Sequence, residues 1–228
     1  MKPPPFESPE QMAAATADKL AEACAHCAFK LFSDPAFRSL ARFDQISQTE
    51  HDRIFNELLV SALLLVMFTF EAPDLDAPDD VRAYLARIAT CMPGAHIKSL
   101  RALGIEQQHL DIWDKLITLR RDEYTSDRHH VRAAAMQVEE QALRKELDCH
   151  DYDKITLTLP VQVIAIGCHR HVCRGETDGR DELFKLQLRA FFAFYVHIRL
   201  LTQGRRLTWW MRLQVALKRL WRRLFRRR

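Results

Sequence analysis

Residues 47–71 read SQTEHDRIFNELLVSALLLVMFTFE, and this stretch decides the fold. Ser47 and Glu50 have the spacing of a capping box, a serine N-cap with an acid three residues on. From Leu58 to Phe70 every residue is apolar except Ser61 and Thr69, so a helix here is greasy on all sides. Such a helix belongs at the centre of a bundle. A run of 13 residues falls short of the roughly 20 that a membrane crossing needs. The prediction is a buried core helix, which other helices must surround.

Working outward, punctuation supplies those helices. Ser8-Pro9-Glu10-Gln11 reads as an N-cap, a proline in the first turn and a capping glutamine. Behind it Leu20, Cys24, Cys27 and Leu31 form one apolar stripe at helical spacing. Ser33-Asp34-Pro35 restarts a short helix, and 72–78 is a Pro- and Asp-rich loop. Pro78 opens a helix predicted to reach Met92, with Pro93-Gly94 as a break and Gly104 closing the next short helix. From Ile105 to Leu159 there are 55 residues without Gly or Pro. That predicts two long helices with a joint near Ser126.

Residues 155–167 carry the β-branched Thr156, Val161, Val163, Ile164 and Ile166, which favour a strand, yet Thr158-Leu159-Pro160 looks like a helix start. A lone strand leaves its backbone groups unpaired, so helix is the better reading. Glu182–Thr202 is a further helix. The expected class is all-α: an irregular multi-helix bundle over 8–202, a disordered stretch at 1–7, and a basic amphipathic helix over 203–228. Composition agrees. At 48% hydrophobic and 28% charged the chain is not disordered throughout, and six glycines compare with roughly 16 at average usage.

Charge is distributed unevenly. Of 34 basic residues, 11 fall in 199–228, where no acid occurs; the rest of the chain holds 23 against all 30 acids, a net of −7. An acidic body with a tail of +11 implies that the tail meets an anionic surface. On a helix, Leu207, Trp210, Leu213, Leu217, Leu220, Trp221 and Leu224 share one face, while Arg212, Arg219, Arg222, Arg223 and Arg226 fall opposite. Three of the four tryptophans (Trp209, Trp210, Trp221) lie here. Tryptophan suits the headgroup level, and a Trp/Leu face backed by arginines describes a helix lying in the plane of a membrane. An anionic leaflet adds about 1 kcal/mol per engaged basic residue. The same face would also suit packing on the body, a protein partner or a second copy. Nucleic acid is disfavoured, since it needs no continuous apolar face. Met1-Lys2-Pro3-Pro4-Pro5 lacks the apolar stretch of a signal peptide, so the expected location is cytoplasmic, peripheral to the inner membrane face, with thiols reduced.

Other motifs carry chemistry of their own. Cys168, His169, His171 and Cys173 place four potential zinc ligands within six residues. Zinc takes pairs of ligands from separate segments, so a site here would need more, with Cys149-His150 as one source. No other cofactor is called for. Cys24 and Cys27 have CxxC spacing but lie on an apolar stripe, where thiols act as small hydrophobes. Glu106 and His109 have the Glu-x-x-His spacing of di-iron bundles, with Asp127–His130 as a degenerate second copy and Glu57 or Glu71 as further ligands. Arg144 and His150, with five residues between them, match a spacing of all-α nucleases of the HEPN type; there Arg would hold phosphate charge and His move a proton. With ten histidines in the chain such a pair arises readily by chance. Glu50, Arg53 and Glu57 read as an exposed salt-bridge stripe; were Glu57 to enter the bundle instead, it would be a candidate acid or base.

Overall fold

The computed structural model describes residues 8–72, 77–143 and 150–202. Among them the chain forms seven α-helices, a short 3₁₀ turn and no strand: α1 (Pro9–Phe32), α2 (Pro35–Leu40), the turn Phe43–Gln45, α3 (Gln48–Phe70), α4 (Asp79–Ala102), α5 (Gln107–Leu143), α6 (His150–Val172) and α7 (Asp181–Thr202). The chain is all-α, as its punctuation predicts.

Three helix starts follow the expected local chemistry. The Ser8 hydroxyl accepts from the Gln11 N–H at 3.3 Å, Asp34 accepts from the Ala36 N–H at 2.8 Å, and Ser47 accepts from the Glu50 N–H at 3.4 Å. These side chains satisfy donors that the first turn leaves open. Glu50 does not complete the capping box; its carboxylate turns to arginines instead.

α3 is the axis of the bundle, in contact with α1, α4, α5, α6 and α7. Every residue from Glu57 to Phe70 is buried. α1 lays Ala13, Ala17, Ala21, Cys24 and Ala28 into the core, and these short side chains let its backbone come close to α3 and α4. Around Phe43 an aromatic cluster pins the 3₁₀ turn. His51 stacks on Phe43 at 4.5 Å, Phe32 and Phe37 meet it edge-on, and the Arg38 guanidinium lies 4.6 Å from its ring centre.

Three boundaries differ from the sequence reading. α4 runs through Pro93-Gly94 without a break. A proline inside a helix costs about 3 kcal/mol, but Ile88, Ala89 and Met92 before it and Ala95 and His96 after it are all buried, so packing on both sides holds the helix together. α5 continues through Ser126, with no joint there; Tyr124, fully buried, locks that turn against α3 and α6. α6 begins at His150, before Thr158, and carries Pro160 inside it. Its β-branched residues are helical because Val161, Val163, Ile164 and Ala165 are buried together. Tertiary burial outweighs their local preference.

Candidate functional site

The polar first half of α3 faces the middle of α5 and the C-terminal end of α6, where the buried Glu57 meets Arg120. Glu57, 4% exposed, accepts from Arg120 twice: Nε to Oε2 at 2.9 Å and Nη2 to Oε1 at 2.6 Å. Arg120 also donates through Nη1 to Glu123 at 3.1 Å. Glu123 in turn faces His171 Nε2 at 2.9 Å. Beneath this chain sits Tyr124, its hydroxyl 3.4 Å from that of Ser61. Burial pushes the Tyr124 phenol well above its ordinary range and the neighbouring Cys168 thiol up to about 12. Both stay neutral at physiological pH.

The expected Glu50–Arg53–Glu57 stripe is therefore divided. Glu50 and Arg53 pair at 2.9 Å near the surface, while Glu57 enters the bundle. Both of its oxygens are engaged by one guanidinium, so it serves as a tie between α3 and α5.

The four candidate zinc ligands of α6 point to different neighbours. Cys168 faces Tyr124 and Ser61 in the core, and His171 faces Glu123. His169 Nδ1 meets Gln187 Oε1 of α7 at 2.8 Å, and Cys173 lies next to His169. Among the described residues no group of three or more His, Cys, Asp or Glu side chains is arranged around a common point. The Cys173 sulfur stands 3.8 and 3.9 Å from the two nitrogens of the His169 ring. Burial raises the Cys173 thiol and lowers the His169 imidazole. Both shifts favour the neutral pair, the reverse of an activated thiolate.

Cavities open on either side of this pair. The larger, about 600 Å³, is lined by His169, Arg170, Thr177, Asp178, Asp181 and Phe184 among others. The smaller, about 290 Å³, lies between the end of α2, the start of α3 and the loop after α6, and its charged lining is Arg42, Arg53, Arg174, Arg180, Glu50 and Glu176. Arg42 and Arg174 are the two described non-glycine residues with positive φ, +58° and +53°. Each follows the C-cap of a helix, the position glycine usually fills because a Cβ there costs about 1–2 kcal/mol.

Neither Arg120 nor the arginine cleft was legible in the sequence. Arg120 reads as one more surface cation on a charged helix, and the cleft's residues come from segments more than 100 positions apart. Arg174-Gly175, directly after the apolar part of α6, was the one local sign of a left-handed helix end.

The remaining sequence candidates fall elsewhere. Glu106 and His109 are exposed, and Glu71 pairs with Arg121 at 2.8 Å, so these residues do not converge as a di-iron set would. Cys24 is buried with its thiol donating to the Ala62 carbonyl at 3.4 Å, and Cys27 is half-buried; both thiols are pushed up by burial, that of Cys27 to about 11. Arg144, Cys149 and the side chain of His150 lie outside the described residues, as do 1–7 and the Arg/Trp segment 203–228. The class is thus an all-α bundle built around one apolar axis. No protein family, curated protein or solved structure matches the chain.

Proposed function

We propose that this is a peripheral membrane protein: a helical interaction or effector module carried on an anionic membrane surface by residues 203–228. One observation carries the reading, the segregation of 11 basic residues and no acid into 199–228; at helical spacing Trp210, Leu213, Leu217, Trp221 and Leu224 would share one face, with Arg212, Arg219, Arg222, Arg223 and Arg226 opposite. Arginine pairs bidentately with lipid phosphate, and the Trp/Leu face enters the acyl boundary. The one described helix long and apolar enough to cross a membrane is α3, and its apolar window is 83% buried among the other helices.

Vesicle sedimentation tests this on the full chain. The wild type should pellet with phosphatidylcholine vesicles containing phosphatidylserine and stay in solution with phosphatidylcholine alone. Replacing Leu213, Leu217 and Trp221 by Glu should abolish pelleting although every arginine remains. If that variant pellets as the wild type does, insertion of the apolar face is not the mode of attachment. Binding of RNA retained by the wild type in place of vesicle binding would favour a nucleic-acid tail instead.

A further inference from the structure

We infer that the cleft between α2, α3 and the α6–α7 loop is a binding site for a small phosphate-bearing anion, held by Arg42 and Arg180. The inference is independent of membrane attachment. Six charged side chains line the cleft, four arginines against Glu50 and Glu176. Two of the arginines are already engaged. Arg174 and Arg53 both donate to Glu50, and Arg53 also donates to the His171 carbonyl at 2.7 Å and that of Val172 at 3.2 Å. Arg53 therefore caps the negative end of α6. Glu50, met by two guanidinium groups, has no charge left for a third.

Arg42 and Arg180 remain, with the exposed Glu176 as the one carboxylate of the lining outside that network. Neither has a carboxylate partner among the described residues. Arg180 is half-buried with its guanidinium beside the Cys173 thiol, a weak acceptor for so strong a donor. Arg42 stands in the left-handed region at φ +58°. A cation anywhere in the last turn of α2 would satisfy that helix end, so the need for charge there does not account for arginine at the strained position itself. A bound anion does: it would take N–H donors from both guanidinium groups in the planar fork that matches phosphate. The cleft's volume, about 290 Å³, stands at the lower limit of ligand pockets. It accommodates inorganic phosphate or a small phosphomonoester.

Calorimetric titration of the full-length protein with inorganic phosphate and with glycerol 3-phosphate tests the site. Wild type, Arg180→Ala and Arg42→Gly all keep the basic C-terminal segment, so differences between them report the cleft. We expect one saturable site in the wild type, weakened at least tenfold in both variants, with Arg42→Gly melting at or above the wild-type temperature because glycine relieves the backbone. Equal affinity in wild type and variants, or no saturable site in the wild type, would overturn the inference. A second arm uses phosphatidylcholine vesicles containing phosphatidic acid. If Arg180→Ala weakens vesicle binding as much as it weakens glycerol 3-phosphate binding, the cleft takes a lipid headgroup; if vesicle binding is unchanged, the ligand is a soluble ester.

Discussion

The two oxygens of Glu57 on α3 are bound by two nitrogens of the same guanidinium, that of Arg120 on α5, at 2.6 and 2.9 Å. The Glu57 side chain is 5% exposed and that of Arg120 14%, so the pair lies almost wholly out of water. Its geometry compensates a desolvation cost of several kcal/mol per ion. Breaking the pair and replacing it should thus have different consequences.

Glu57→Gln leaves Arg120 charged and half-satisfied. Breaking a buried pair costs about 3–5 kcal/mol, and the surviving contact with Glu123 at 3.1 Å places the expected loss near 3 kcal/mol. Converting both partners, as Glu57→Leu with Arg120→Met, should recover stability to within about 1 kcal/mol of the wild type. Urea unfolding followed by circular dichroism measures both. Equal losses in the single and double variants would mean that the pair contributes more than packing can restore.

Gly167 on α6 faces the Tyr124 ring so closely that an added Cβ would stand 2.2 Å from Cε1. Gly to Ala inside a helix ordinarily gains about 1 kcal/mol, whereas overpacking a core costs about 1–3 kcal/mol. At this separation the clash should win, and Gly167→Ala should lower stability by 1 kcal/mol or more. Tyr124→Leu in the same background should return part of the loss. A melting temperature raised by Gly167→Ala alone would show that α5 and α6 can move apart freely.

His96 on α4 is 4% exposed, meets the edge of Trp113 at 4.8 Å, and has no hydrogen-bond partner at Nε2. Burial pulls its pKa down from 6.5 to about 4. The neutral ring is the native form, so its contribution is complete above pH 6.5, where the unfolded chain is also neutral. It is lost as pH falls from 6.5 to 4, because the unfolded state then takes up a proton that the native state refuses. The shift corresponds to about 3 kcal/mol at most. His96→Leu should flatten the acid limb of a stability-against-pH curve over that interval, and an unchanged limb would remove His96 as its origin.

How much of this was legible in the chain varies by element. Ser8, Asp34 and Ser47 announce three helix starts because a cap is a local hydrogen bond between near neighbours. The run Leu58–Phe70 announces the core helix because burial on every side removes amphipathic spacing. Pro93, Pro160 and Ser126 misled for one shared reason. Each is a local signal for an end or a joint, and each lies in a helix whose flanking residues are held by long-range burial worth more than the local cost.

The sequence by itself determined the helical class, the central place of α3 and the division into an acidic body and a basic end. All three depend on residue spacing and count. Only the tertiary structure decided that Glu57 turns inward to Arg120, that Cys168, His169, His171 and Cys173 face different neighbours, and that Arg42 and Arg180 line one cleft. Those outcomes depend on which faces of distant helices are pressed together. Close packing sets that for the whole molecule at once, and no short stretch of chain records it.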